Sequence, residues 1–319
     1  MSHIIISGAT GFIGSHLVKQ LIDRNYDVLS LGRKPFNQLT DVVQEKLLHG
    51  NYINLDMDSV AKLPELLERN TIKFDSTLDR KFFHLAWGGI EKLSCLDIEA
   101  QMKNVTRTVN AMAAAKSIGC STFFHVGSME EVFTEEYLKL DYKSNSEYNR
   151  HVIYAVAKLA AHKAVKIKSK ELDLDYIYIN HSHVMGPHDS KDSILQVTLE
   201  NIINGNDMSF SSGEQLWDVV SVHDCVDGFI EIIKKGLPGS KYWVGSGFPN
   251  TLKFYIERIF ELYPPKGYYS FGSLAYNDIK LPESTFDISK ITKDTDYTPK
   301  QSFEDAVTEL YNHLQERVS

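Results

Sequence analysis

Tyr154-Ala155-Val156-Ala157-Lys158 sets a phenol and an ammonium four residues apart, a spacing that brings both to one face of a helix. A cation beside a phenol lowers its pKa, and a tyrosine tuned in this way gives a proton to a carbonyl oxygen or takes one from a hydroxyl. Ser128, directly after the apolar stretch Ser121 to Gly127, is placed to hydrogen-bond the same oxygen. Asn104, in the helical stretch before it, suits the holding of a backbone kink or a water. A tyrosine and a lysine at helical spacing also arise by chance, and a serine after a strand is commonly a cap. The order of these residues along one chain, behind a glycine turn, is what points to chemistry.

That turn is Gly8-Ala9-Thr10-Gly11-Phe12-Ile13-Gly14, between the strand Ile4 to Ser7 and a helix. Gly8 permits the tight turn, Gly11 the approach of a pyrophosphate, and Gly14 close packing of helix on strand. The helix N-terminus adds N–H donors and a positive dipole end. Gly8, Thr10, Gly11, Phe12, Ile13 and Gly14 are therefore expected at a dinucleotide. After the second strand, where an NAD site offers a carboxylate to the ribose, stand Arg33 and Lys34. Two cations suit a 2′-phosphate, so NADP is expected, with NAD as the alternative if both are solvated surface charges. Asp56 follows the strand near Tyr52 to Leu55 and is expected to accept from the adenine amine, with Met57 beside it, unless it is a plain loop carboxylate.

The elements that must position these residues are legible as alternation. His3 to Ser7, Asp27 to Leu31, Lys81 to Ala86, Ser121 to Gly127 and Asp175 to Asn180 read as buried strands. Thr10 to Arg24, Ile98 to Ser117 and His151 to Lys170 read as helices between them. The result is an α/β, Rossmann-type doubly wound parallel sheet over residues 1–180, with ligands at the strand ends. From 181 to 319 the texture shifts to short strands and helices broken by turns such as Gly245 to Pro249 and Pro264 to Gly267, a smaller α/β substrate lobe interleaved with the first. A net charge of −8 over 319 residues offers no basic surface to nucleic acid. With no leader and no apolar span of about twenty residues, a cytoplasmic protein with no membrane partner is expected. Cys95, Cys120 and Cys225 lack metal spacing and imply neither disulfide nor zinc.

GATGFIG, His84-Leu85-Ala86, Asn104, Gly127-Ser128, Tyr154xxxLys158 and Met185-Gly186-Pro187 together resemble the extended short-chain dehydrogenase/reductase family of nucleotide-sugar epimerases, dehydratases and reductases. Phe286 to Lys290, Tyr297-Thr298-Pro299 and a helix from Phe303 look like that family's C-terminal segment. The resemblance implies catalytic roles for Ser128, Tyr154 and Lys158, a cofactor cleft lined by Leu85, Ala86 and Trp87, with His181 also on the cofactor side, and a nucleoside diphosphate sugar held by the second lobe. A homodimer through two helices is the family's habit.

The chain departs from the pattern at several positions. His183 stands where the family has Asn, and either contacts a diphosphate or bonds to backbone. In the stretch Gln215 to Asp224, matched to the family's substrate-lobe strand, Trp217 replaces a diphosphate-binding arginine and either stacks on base or sugar or packs. Met129 and Glu130 stand where similar dehydratases place an acid and a base; methionine cannot deliver a proton, which argues against elimination, and Glu131 reads as solvated. Trp87, Ser128, Met129, Glu130, His183 and Trp217 are the expected substrate contacts. The leading expectation is an NADP-dependent reductase of a 4-keto-6-deoxy nucleotide sugar. Its alternatives are a 4-epimerase with tightly held NAD and, in another class, a non-catalytic dinucleotide sensor.

Overall fold

The computed structural model describes residues 2–88, 97–134, 152–189, 193–274 and 281–317. Apolar stretches, buried throughout in β5 and in part in the others, form β1 (Ser2–Ser7), β2 (Asp27–Gly32), β3 (Asn51–Asn54), β4 (Asp79–His84), β5 (Thr122–Val126) and β6 (Asp175–His181). Each pairs with its sheet neighbour in parallel. With β11 (Lys241–Val244) they make a seven-stranded sheet in the order β11-β6-β5-β4-β1-β2-β3. The chain thus steps outward from β1 to β3, then restarts at β4 and runs the other way. Ligands of such sheets bind where the order reverses, at the carboxyl ends of β1 and β4.

The helices between strands follow their capping chemistry. α1 (Phe12–Asp23) starts from Gly11, and the left-handed Asn25 ends it. α2 (Asp41–Leu47) and α3 (Leu63–Arg69) flank β3 and were not anticipated from periodicity, each being only two turns long. α4 (Ile98–Ser117) begins at Asp97, whose carboxylate accepts from Ala100 N–H, and stops before the left-handed Gly119. α5 (Val152–Leu172) packs along α4. Beneath them Phe82 stacks on Phe123, and on the opposite face of the sheet Phe83 stacks on Phe124 and meets Phe229.

The chain forms two compact units. The first comprises Met1–Asn180 and Phe229–Tyr242, the second His181–Gly228 and Trp243–Ser319. In the second, which also holds β7 (His183–Met185), β8 (Met208–Ser209) and α9 (Ser289–Thr295), the helices α6 (Ile194–Asn204), α8 (Leu252–Leu262) and α10 (Phe303–Glu316) enclose a core including Leu199, Ile256 and Leu310. The stretch Gln215 to Asp224 is not one strand. It divides into β9 (Leu216–Trp217), β10 (Val219–Ser221) and the start of α7 (Val222–Lys235), because the buried Asp218 between the strands turns inward to accept from Ser182 Oγ at 2.5 Å and Ser246 N–H at 3.0 Å. Cys120 and Cys225 are buried and free, and Cys95 lies outside the described residues. Among the described residues no helix is long and apolar enough to cross a membrane.

A methyl group at Gly14 would lie 2.1 Å from the Gly8 carbonyl oxygen. Gly14→Ala should therefore lower the unfolding free energy by about 1–3 kcal/mol, measured by urea denaturation, through backbone overlap at the start of α1.

Candidate active site

The strand-order reversal creates a cavity of about 200 Å³ in the first unit, lined by Gly8, Thr10, Gly11, Arg33, Asp56, Met57, Leu85, Ala86, Trp87 and Asn104, with Leu31, Gly32, Leu55, Gly88 and Arg107. Gly8 is left-handed, at φ 77°, and a Cβ there would sit 2.8 Å from Ala86 N. A bare backbone is what lets the turn after β1 meet the turn after β4. At Gly11 a Cβ would find only the Gly8 carbonyl oxygen, at 3.4 Å, and no acidic side chain lies in the first turn of α1. This open cradle of N–H groups at a helix N-terminus fits a pyrophosphate. Thr10, Gly11 and Arg33 would hold the phosphates and Asp56, Met57 and Arg107 the adenosine.

Several expected cofactor residues fall outside the cavity wall. Phe12, Ile13 and Gly14 are taken into α1. Lys34 is exposed, and its carbonyl accepts from Tyr52 Oη at 2.5 Å. Asp56 lines the cavity, but one of its oxygens accepts from Asp58 N–H at 2.8 Å as a helix cap. Asn104 clamps Gly88 from both sides, accepting from its N–H at 3.0 Å and donating to its carbonyl at 2.7 Å. Arg107 was not anticipated from sequence. It forks onto Asp58, at 2.7 and 2.8 Å, and only the tertiary position of its helix reveals it as a cavity residue.

Trp87 joins the cavity to the reactive groups. Its ring meets Tyr154 edge to face at 6.1 Å and carries Lys158 Nζ 4.1 Å above its centre. Its indole N–H donates to the buried Gln101 at 3.0 Å. Tyr154 and Lys158 share the inner face of α5, 7 % and 5 % exposed. The Ser128 side chain lies close enough to the Tyr154 phenol to pull its pKa down. Ser128 caps the turn Met129–Glu131, accepting from Glu130 N–H at 3.2 Å, while its carbonyl accepts from Asn180 Nδ2 at 2.9 Å. Met129 is half-buried and Glu130 buried. Glu131, expected to be solvated, is buried too, because its carboxylate accepts from Ser128 N–H at 2.9 Å in a capping box.

The electrostatics differ from the simple pairing of ammonium and phenol. Burial pushes the Tyr154 phenol well above its ordinary range, Glu130 and Glu131 push the same way, and the Ser128 side chain opposes them. Lys158 Nζ lies 5.9 Å from the Tyr154 ring centre and 3.4 Å from the Val126 carbonyl, so its charge is aimed elsewhere. Burial lowers Lys158 to about 8, against the field of Glu131. At pH 7 the site thus holds a protonated phenol beside a protonated amine. Beneath them His84 is driven to about 3 by burial and by Lys158, and bonds Ser7 Oγ at 2.7 Å as a neutral ring.

His181, His183 and Trp217 lie in the second unit. His181 Nδ1 is 2.8 Å from the Ser182 carbonyl. His183 stands 4.7 Å from the Trp217 ring, with Nε2 3.2 Å from Ser193 Oγ, and burial brings it to about 4, so it is neutral at pH 7.

Residues 4–245, more than half of the chain, match the model of the NAD dependent epimerase/dehydratase family. The chain belongs to that family. Proteins similar to this chain include CDP-abequose synthase of Salmonella typhimurium LT2, 23 % identical, covering 98 % of both chains. The dTDP-glucose 4,6-dehydratase of Haemophilus influenzae is 22 % identical, over 82 % of this chain and 80 % of its own. Among solved structures, the dTDP-glucose 4,6-dehydratase DesIV of Streptomyces venezuelae, with NAD and TYD bound, superposes with a TM-score of 0.77 at 19 % identity, over 98 % of this chain and 97 % of that one. An enzyme of the short-chain dehydrogenase/reductase type on a Rossmann-like sheet, with a nicotinamide dinucleotide as cofactor, is therefore the frame for the site above.

Lys158 carries its proton below about pH 8 and loses it above. A turnover that needs the ammonium should accordingly fall as pH rises through about 8. The kcat/KM profile should show this alkaline limb in the wild type, and Lys158→Met should lack it.

Proposed function

We propose that this enzyme reduces the 4-keto group of a 6-deoxy nucleoside diphosphate sugar, using NADPH. The observation that carries the reading is the buried Tyr154 phenol, beside Ser128 and held protonated by its burial. A phenol that keeps its proton at neutral pH is ready to donate it to a keto oxygen. Ser128 polarises the same oxygen, and the Lys158 ammonium, seated over Trp87, keeps the site positive as the phenol gives up its proton. The bound nicotinamide supplies the hydride.

Arg33 supports NADPH: it lines the cavity at the end of β2, where a ribose-binding acid would otherwise stand. The relatives act on CDP- and dTDP-linked sugars by name, which supports a nucleotide-sugar substrate. In the second unit the neutral, flat His183–Trp217 pair suits stacking on base or sugar more than clamping a diphosphate.

The test is purified protein with NADPH and 4-keto-6-deoxy nucleotide sugars, followed by loss of NADPH absorbance. Stoichiometric consumption supports the reading. NAD that copurifies and is never consumed, with interconversion of 4-epimers, replaces it with epimerisation. Tyr154→Phe should reduce kcat by about 10²–10⁴-fold while leaving the Kd for NADPH nearly unchanged, measured by fluorescence titration. Arg33→Ala should weaken NADPH by about 10- to 100-fold, the loss of one charge-assisted contact, and NADH far less. Equal weakening of the two would remove the NADP assignment.

A further inference from the structure

Of the buried ionisable groups that the reaction above leaves unused, Glu131 is the most strongly placed. It ties together the two elements that hold the reactive trio. Oε1 accepts from the Ser128 N–H at 2.9 Å, fixing the turn after β5. Oε2 lies 3.8 Å from Nδ1 of His162, and the carboxyl side chain is only 5 % exposed. His162 follows Lys158 by one turn on the face of α5 that already carries Tyr154, and its ring stacks on Tyr178 of β6 at 3.6 Å and 15°. Gly127 has no side chain where one would strike both the Tyr178 hydroxyl and Glu131 Oε1, at 1.9 and 2.5 Å. The carboxylate is thus seated beneath the serine turn, with the helix face beside it.

We propose that Glu131 is a positioning residue for the Tyr154–Lys158–Ser128 site, holding the Ser128 turn through its hydrogen bond and presenting its carboxylate to the face of α5 that carries Lys158. The inference rests on the roles given above to Ser128 and Lys158, and assigns to Glu131 no proton transfer of its own. The ionisable groups around it are named by their fields. From α5 come Tyr154, Lys158 and His162, from β6 Tyr176 and Tyr178, and from its own turn Glu130. Lys158 also faces His84 of β4 and His125 of β5, both driven neutral by burial. Tyr176 and Tyr178 are held protonated by burial. That leaves Glu131 as the group whose field opposes the cost of burying the Lys158 ammonium.

Two variants separate the two roles. Glu131→Gln keeps an acceptor for Ser128 N–H and removes the charge; Glu131→Asp keeps the charge and shortens the reach. Trp87 gives a readout that needs no substrate, because Lys158 Nζ sits 4.1 Å over its ring. The pH titration of its fluorescence should show a transition near 8, absent in Lys158→Met and in Trp87→Phe. In Glu131→Gln the midpoint should drop by about one pH unit, a tenfold loss of proton affinity at Lys158, and the alkaline limb of kcat/KM should move with it. In Glu131→Asp the midpoint should stay near 8 while kcat falls about tenfold with the KM for NADPH unchanged. A Glu131→Gln titration superimposable on wild type, or a Glu131→Asp kcat equal to wild type, overturns the proposal. Failure of the substrate reading would appear instead as wild-type protein that does not consume NADPH, with the Trp87 titration still deciding the link between Glu131 and Lys158.

Discussion

The contact between the backbones at Gly8 and Ala86 is the constraint on which the site depends. A parallel sheet whose strand order reverses between β1 and β4 leaves a crevice there, but the crevice becomes a cradle only if the two emerging turns approach to within backbone contact. Gly8, left-handed and without a Cβ, permits that approach. Once it is made, Gly11 and the start of α1 face one side of the cavity, and Leu85, Ala86 and Trp87 form the other. Trp87 is then fixed where α5 can bring Lys158 over its ring.

The second constraint is electrical. Burying an ammonium in an interior of low dielectric is costly unless other charges and dipoles compensate. Around Lys158 the compensation comes from the Glu131 carboxylate, the Val126 carbonyl and the face of an indole. The imidazoles beneath stay neutral and so add no repulsion. A protonated phenol can sit beside this amine because no strong direct coupling draws its proton away.

Much of this was readable in the chain itself. Long apolar runs such as Ser121 to Gly127 and the glycine turn announce the parallel sheet, because a strand buried on both faces leaves no choice of residue. The Tyr154–Lys158 spacing announces a shared helix face. What spacing cannot give is which neighbour a buried charge will see. Lys158 was expected to act on the phenol and instead lies over Trp87, a residue 71 positions away. Glu131 read as solvated, since a capping box at a 3₁₀ turn leaves little periodic trace. Arg107 and β11 escaped for related reasons: one is a helix residue made relevant by packing, the other a four-residue strand.

The division of the chain into units is also discontinuous in sequence. Phe229–Tyr242 belongs with the first unit although 48 residues of the second, His181–Gly228, precede it. During synthesis from the N-terminus, the first unit therefore cannot be completed when Asn180 emerges. Its last helical turns and the start of its edge strand arrive only after the opening half of its neighbour, so the nascent chain must hold an unfinished sheet edge in the interim. A gene fragment cut at the apparent boundary would inherit the same open edge permanently. Exchange of one unit between relatives consequently requires three splice points rather than one, after Asn180, Gly228 and Tyr242, which ties the inheritance of the nucleotide-binding half to that of the half that follows it.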